Sequence, residues 1–366
     1  MALVDPEFWA GKRVFLTGHT GFKGSWMSQW LLHMGAKLRG FSSGLDWHQP
    51  PQGQKILFDE LGLERRMDHI TGDIRDLAQM AAVLRDFSPE IIIHMAAQPL
   101  VRRSYADPVE TYAINVMGSV NLLTACRDLP DLRSIIVVTS DKCYENREQI
   151  WGYRETDAMG GHDPYSNSKG CTELLVSAFR NSYFHPEKYD THGIVCASAR
   201  AGNVIGGGDW CEDRLVPDIF RAIARGETLE IRNPNATRPW QHVLDPLCGY
   251  LRLAEISLTD PHLTAAGWNF GPAEHVTMSV GDIMGIFKSK LGECIQWEAK
   301  PQSGQLHEAQ LLKLDCAAAR ERLGWHPMFS MPETLSMVTD WYVADSSEQR
   351  CQIVDAQIDR ALSDVA

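Results

Sequence analysis

The chain has no apolar run long enough to span a bilayer, and residues 1–12 lack the basic-then-apolar pattern of a secretion signal. Neither an exported nor a membrane-embedded role is therefore expected. Positive charge is scarce: 35 Lys and Arg stand against 47 Asp and Glu, a net charge of −12. That balance argues against a nucleic-acid surface while permitting a basic pocket. The nine cysteines are dispersed, with no C-x-x-C pair and no finger-like histidine spacing. This pattern excludes a zinc ribbon or a disulfide scaffold and points to reduced thiols in a cytoplasmic protein, with no metal site. Internal repeats and low-complexity tracts are also missing. What remains is 366 residues, enough for one large α/β domain or two medium ones.

The stretch that organises the rest is Arg13 to Met34. Arg13-Val14-Phe15-Leu16 reads as a short buried strand. It runs through Thr17 into a turn with Gly18, Gly21 and Gly24 at three-residue spacing. Ser25 to Met34 then reads as a helix, with Trp26, Met27, Trp30, Leu31 and Met34 on its apolar side. Strand, glycine turn and helix together suit a dinucleotide: the glycines let the backbone approach a pyrophosphate, and the helix N-terminus offers it unpaired N–H groups. His19, Phe22 and Lys23 lie in the same turn. Lys23 could meet the pyrophosphate, meet the extra phosphate of NADP, or be solvated.

Strands and helices alternate onward. Lys37–Ser42 is the second strand, and its end lacks the acidic residue that often holds an adenosine ribose about 20 residues past the glycines. Asp46 is the nearest carboxylate, so NAD over NADP cannot be argued from this position. A short helix is expected around Ile56–Leu61. The third strand starts at His69 and leads to Asp73 and Ile74. Asp76 suits the cap of a helix over Leu77–Phe87, which leaves Asp73 to face the ligand crevice at the strand ends. Glu90–Met95 is a fourth, nearly all-aliphatic strand. Ala96, Ala97 and Gln98 follow it, small enough at first for a planar group to lie against the strand end. Asp107-Pro108 opens a helix to about Cys126 with Asn115 in its middle.

The fifth strand, Arg133–Thr139, ends in Thr139-Ser140-Asp141-Lys142. Hydroxyl, carboxylate and ammonium gathered at a parallel strand end are unusual for a structural turn. Asp163-Pro164 then opens a long helix to about Phe184, carrying Tyr165 and Lys169 at i and i+4 on one face. A phenol with a pKa of about 10 is a poor base at neutral pH. A neighbouring ammonium favours the phenolate and can also hold a cofactor ribose. Ser140 would complete the hydrogen bonds to a substrate hydroxyl.

The sixth strand, His192–Ala199, leads into Arg200 and a glycine-rich loop through Asn203 to Gly208. Beyond it the composition shifts. A helix over Leu215–Arg225 and a strand near Leu229–Arg232 fall in a smaller lobe, whereas Arg238–Asp245 reads as a strand returning to the main sheet. The fold expected is α/β: a Rossmann-type doubly wound parallel sheet with a smaller C-terminal α/β substrate-binding lobe. The dinucleotide-binding part takes residues 11–198 and 236–258, and the lobe takes 199–235 and 259–345. Residues 346–366 form a helical tail.

In these motifs the chain resembles the extended short-chain dehydrogenase/reductase superfamily, from Gly11 to about Val343, and within it the sugar-nucleotide 4,6-dehydratases. The Ser140-Asp141-Lys142 form, with Gly207-Gly208-Asp209-Trp210 downstream, is most similar to members acting on CDP-glucose. The resemblance implies NAD held by Gly18, His19, Gly21, Phe22, Lys23, Gly24, Asp73, Ile74, Ala96, Ala97, Gln98, Asn115, Thr139, Tyr165, Lys169 and Arg200. It implies catalysis by Ser140, Asp141, Lys142, Tyr165 and Lys169, with Asp141 as the acid for the C6 oxygen. Lys142 departs from the usual Glu base, leaving open whether it is neutralised, acts through water, stabilises an enolate or merely pairs with Glu145. It also implies a nucleotide-sugar substrate: Asn203 and Arg238 on the diphosphate, Gln98 facing the hexose, Leu215, Val216, Ile231 and Asn233 around the base, His307-Glu308 at ribose or phosphate, and Asn269 also among the substrate-binding residues. A homodimer or homotetramer through helices 108–126 and 164–184 is implied as well. A 4-epimerase, or a dinucleotide-binding sensor without turnover, is the competing expectation.

Overall fold

In the computed structural model, which describes residues 3–44, 48–273, 278–300 and 311–363, seven parallel strands make the central sheet. They are β1 (Arg13–Thr17), β2 (Lys37–Ser42), β3 (Asp68–Thr71), β4 (Ile91–His94), β5 (Ser134–Val138), β6 (Val195–Ala201) and β7 (Gly267–Phe270). Their order is β7-β6-β5-β4-β1-β2-β3, with Val14 opposite Leu38 on one side and Ile91 on the other. The chain winds outward in both directions from the β1/β4 boundary, so the strand ends there form the switch-point crevice of a doubly wound sheet.

Both faces are covered, which is why the middle strands are apolar throughout. Val14, Leu16, Ile93 and Ile136 point into one core with Trp26, Trp30 and Leu247. Phe15, Ile92, Ile135 and Val137 point into the other with Met80, Leu84, Leu122 and Val176. The first core is closed by α1 (Phe22–His33) and the second by α2 (Leu77–Phe87). Beside α2 lies the rod α3, made of Pro108–Tyr112, a π turn at Ala113–Met117 and Gly118–Ala125. The long α4 (Pro164–Ser182) packs next to it. Asp76, Asp107 and Asp163 each cap the helix that follows, as the sequence indicated.

Two expectations change. Residues 238–245 do not return to the main sheet. Pro239, which has no N–H to donate, separates two short pairings: Thr237–Arg238 with Met278–Ser279, and Gln241–His242 with Val204–Ile205. From Leu244 the chain is helical to Thr259 (α6, after α5 at Leu215–Arg225). The seventh strand is instead β7, beside β6, in the stretch assigned above to the lobe. The lobe has a small parallel pair, Leu229–Ile231 with Trp297–Ala299, and helices Val280–Leu291 (α7) and Met331–Tyr342 (α8). The tail helix α9 (Ser347–Ser363) docks on α1, where Gln29 donates to Asp355 (2.5 Å), and on the connection after β2, where Arg350 pairs with the buried Glu60 (2.9 Å).

Candidate active site

The helix α1 starts inside the glycine turn, three residues earlier than the apolar pattern indicated. Gly21 is its N-cap and no side chain caps it, so its first amides open onto the crevice. Gly18 has φ +73°, and a Cβ there would lie 2.7 Å from the Ala96 nitrogen. A Cβ on Gly24 would lie 2.1 Å from the Gly18 carbonyl oxygen. Only glycine fits either place. Beneath them, Thr17 Oγ1 accepts from the Met95 and Ala96 amides at 3.1 Å and bonds to His94 Nδ1 at 2.7 Å. Burial holds His94 neutral, with its pKa down at about 3.

These parts border a cleft of about 430 Å³. Gly18, Gly21, Phe22, Lys23, Gly24, Asp73, Ile74, Ala96, Ala97, Thr139, Tyr165 and Lys169 all line it. A bare helix N-terminus, a glycine cradle and an apolar floor suit a dinucleotide. Asp59 and Glu64, from the connection after β2, also border the cleft near Ser42 and Ser43. They supply carboxylates that the end of β2 lacks, and no sequence spacing pointed to them. Asp73 is not left free: Arg75 grips it (2.5 Å from Nη2), and that hydrogen bond lowers its pKa.

Four residues assigned to the cofactor are set back from the cleft wall. His19 is fully buried against Gly40, with Nε2 2.6 Å from His69 Nδ1, and burial followed by the His69 charge takes its pKa to about 3. Gln98 is fully buried, its amide spent on Thr111 Oγ1, the Leu100 carbonyl and the Leu100 N–H. Its side chain does not line the cleft. Asn115, in the π turn of α3, accepts from the Gln98 N–H (2.8 Å) and donates to the Gln98 carbonyl and Ser168 Oγ. It shapes the crevice by holding the chain after β4. Arg200 is buried in an ion pair with Glu173 (2.7 Å).

At the catalytic end, Ser140 Oγ donates to Asp141 Oδ1 (2.9 Å) and is close enough to the Tyr165 phenol to lower its pKa. Burial raises that phenol to about 12, opposed by Ser140 and the Arg214 charge. The expectation that a lysine lowers it is thus not met in this state, because desolvation of the phenolate outweighs the nearby cations. Lys169 Nζ donates to the Val138 carbonyl (3.3 Å), and burial brings its pKa to about 8. Asp141 is 2 % exposed, and its Oδ2 has no hydrogen-bond partner among the described residues. Desolvation raises its pKa, against the charges of Lys142 and Arg238. Lys142 is half-buried, and Glu145 pairs with Arg147 instead of with it.

Two further cations belong here. Lys23 is half-buried on the cleft wall. It sits among Lys169, Arg214, Asp141 and Asp209, and burial first, then the cations, lower its pKa to about 7. Arg214, which the sequence reading missed, lines the cleft and pairs with the buried Asp209 (2.8 Å). Its signal was the Gly207-Gly208-Asp209-Trp210 motif five residues upstream. His48, Asp209 and Cys211 offer ligand atoms within 4.8 Å of one another. The Asp209 oxygens already accept from Arg214 and the Cys211 N–H.

On the lobe side, Arg238 is half-buried and borders a second cavity of about 240 Å³ with Trp151, Pro239 and Lys313. Asn203 and Leu215 are half-buried, Val216 and Ile231 are buried, and Asn233 is exposed. Asn269 cannot face a sugar. It is fully buried, donating to the Tyr153 and Asp315 carbonyls and accepting from the Tyr144 hydroxyl. His307 and Glu308 lie outside the described residues.

Comparison with known proteins agrees with this geometry. Residues 15–338 match the family model described as GDP-mannose 4,6 dehydratase. The chain is 49% identical over 342 residues to the CDP-glucose 4,6-dehydratase of Salmonella typhimurium, covering 93% of each. It is 26% identical to the dTDP-glucose 4,6-dehydratase of Xanthomonas campestris pv. campestris, over 78% of this chain and 82% of that one. Among solved structures it is similar in fold to the dTDP-glucose 4,6-dehydratase of Streptomyces venezuelae with NAD bound, with a TM-score of 0.73 and 22% identity over 90% of this chain and 96% of that one. The UDP-glucose 4-epimerase of Thermotoga maritima also gives a TM-score of 0.73, with 21% identity over 90% and 98% of the two chains.

Proposed function

We propose, since the chain belongs to the GDP-mannose 4,6 dehydratase family of extended short-chain dehydrogenases/reductases, that it removes water from CDP-glucose and yields CDP-4-keto-6-deoxyglucose. The nucleotide is inferred from the relative that is 49% identical. The observation that carries the chemistry is the unpartnered, buried Asp141 Oδ2 beside Ser140 and Tyr165. Its raised pKa moves it toward the acid form that a leaving C6 hydroxyl requires. The glycine turn and the bare N-terminus of α1 would hold NAD, which would supply the acceptor for the C4 hydride and the donor of the same hydride to C6, with no net oxidation. Asp59 and Glu64 favour NAD, because they would repel an added 2′-phosphate.

Tyr165 takes the C4 hydroxyl proton, with Ser140 donating a hydrogen bond to the same oxygen. Burial works against the phenolate, and the Arg214 charge works for it. The ketone at C4 acidifies C5, and Lys142 takes its proton, directly or through water. Asp141 then protonates the C6 oxygen as water leaves; once C6 has received hydride, the proton taken from C5 returns to C5 and the proton taken by Tyr165 restores Asp141. Arg238, bordering the lobe cavity, holds the diphosphate. A second copy of the chain docks on α3 and α4, where Val109 (79 % exposed), Met117 and Leu174 present apolar side chains.

The test is mass spectrometry of purified protein with NAD and CDP-, dTDP-, UDP- and GDP-hexoses. Loss of one water from CDP-glucose without accumulation of NADH is expected. Water loss from another nucleotide would keep the mechanism and overturn the base assignment. Conversion to a 4-epimer at unchanged mass would overturn both.

A further inference from the structure

Tyr165, Lys169 and Glu173 form one stripe along α4 at four-residue spacing, and the third member has no part in the steps above. Glu173 is fully buried, its side chain 3% exposed. It accepts hydrogen bonds from Thr139 Oγ1, Ser198 Oγ (2.7 Å) and Arg200 Nη2 (2.7 Å). Thr139 is the residue immediately before Ser140. From its other nitrogen, Arg200 donates to the Tyr144 hydroxyl (2.6 Å), which in turn donates to Asn269 Oδ1 (2.7 Å). The catalytic segment Ser140–Cys143 is therefore suspended between two anchors, Thr139 and Tyr144, and both end on the same buried ion pair.

That pair also faces Lys169. The groups whose charges meet this ammonium are Glu173 on its own helix, the Cys143 thiol on the catalytic segment, Lys23 on α1 and His94 on β4. His94 is neutral, Lys23 repels, and the Cys143 thiol is held protonated by burial. Glu173 is the one anion in this set. A pair needed merely to join β5, β6 and α4 could be replaced by apolar side chains without cost to chemistry. The hydrogen bonds of this one lead instead to both ends of the reacting segment.

We propose that Glu173, locked by Arg200, is a positioning residue that fixes the Ser140–Cys143 segment against Tyr165 and supplies the counter-charge of Lys169. The proposal rests on the dehydratase reading, and its test separates the two. The pH dependence of CDP-glucose dehydration is measured for the wild type, Glu173→Gln and Arg200→Lys. NAD affinity and near-ultraviolet circular dichroism are followed alongside.

Glu173→Gln keeps the shape and removes the charge. An alkaline limb is expected for the wild type near the Lys169 pKa of about 8, and it should move down by about one unit, the size expected for loss of a close opposite charge. Arg200→Lys keeps the Glu173 charge and shortens the reach to Tyr144. Its limb stays in place while kcat falls about tenfold or more and KM holds, as misplacement of reacting groups predicts. A Glu173→Gln enzyme that is less stable but retains the wild-type profile overturns the counter-charge, and an unchanged kcat in Arg200→Lys overturns the anchoring. A wild type that leaves CDP-glucose intact would sink the dehydratase reading alone. Titration of Lys169 by NMR of 15N-lysine-labelled protein, assigned with Lys169→Met, then decides for or against the counter-charge: a midpoint unmoved by Glu173→Gln overturns it.

Discussion

Asp141 and Lys142 are adjacent in sequence but placed in opposite electrostatic situations, and the pair can be separated by partial reactions. Asp141 is buried with an open oxygen and a raised pKa, a condition that favours the protonated acid. Lys142 is half-buried at the same strand end. Asp141→Asn is expected to leave C4 oxidation and C5 exchange in place while slowing water loss by about a hundredfold or more, the usual range for a general acid. Lys142→Met is expected to stop incorporation of deuterium at C5 and, with it, dehydration. Rapid-quench mass spectrometry in deuterium oxide distinguishes these outcomes. C5 exchange at the wild-type rate in Lys142→Met would remove lysine as the base. Tyr165 and Lys169 were legible in the sequence because helical spacing alone puts them on one face. Glu173 could have been found by extending the same stripe one more turn. Arg200, Gln98 and Asn269 were misread because their polar groups are consumed by partners 27, 13 and 125 residues away in sequence, and no local pattern encodes those separations.

Among the elements, the strand–turn–helix of β1 and α1 is the most fully encoded, and the reason is steric. Gly24 has the Gly18 carbonyl oxygen where a Cβ would stand, so the turn tolerates no side chain at that place. Gly24→Ala should therefore open the turn and weaken NAD binding about a hundredfold, with a smaller loss of stability, measured by titration calorimetry and urea unfolding. Binding at wild-type affinity would show that the backbone here is not the pyrophosphate cradle. The strands β1, β4 and β5 were readable from unbroken apolar runs. The seventh strand, at the sheet edge, was not, because Gly267-Trp268-Asn269-Phe270 carries a glycine and an amide, residue types depleted in strands. Gly267 is there because Arg200 occupies the space of its Cβ, at 2.3 Å, and Asn269 because it ties Tyr144 to the loop at Asp315. The buried pair that anchors the site thus also dictated the residues that disguised the strand.

For the whole molecule, three buried histidines set the response to acid. His19, His94 and His242 each have a pKa lowered to about 3, with burial the largest cause. In the unfolded chain each titrates near 6.5. Between those values the unfolded chain binds the extra protons, so stability rises with pH and is lost as pH falls below about 6.5. The loss approaches about 1.4 kcal/mol per pH unit for each histidine. Buried carboxylates with raised pKa, such as Asp141, Glu155 and Glu255, act in the opposite sense. Their unfolded values lie near 4, so their contribution grows toward the acid end of the range, and the histidines dominate from about pH 6.5 down to about 5. The urea midpoint should accordingly fall steadily over that interval. His242 lies between the rings of Trp26 (6.0 Å) and Phe329 (5.3 Å), so a phenyl ring suits the same space. His242→Phe should lessen the acid slope by about a third, since it removes one of three comparable titrations, even though the Leu244 N–H loses its acceptor. A slope left at the wild-type value would mean that His242 is already charged in the folded protein, or that acid unfolding is governed by groups outside this set.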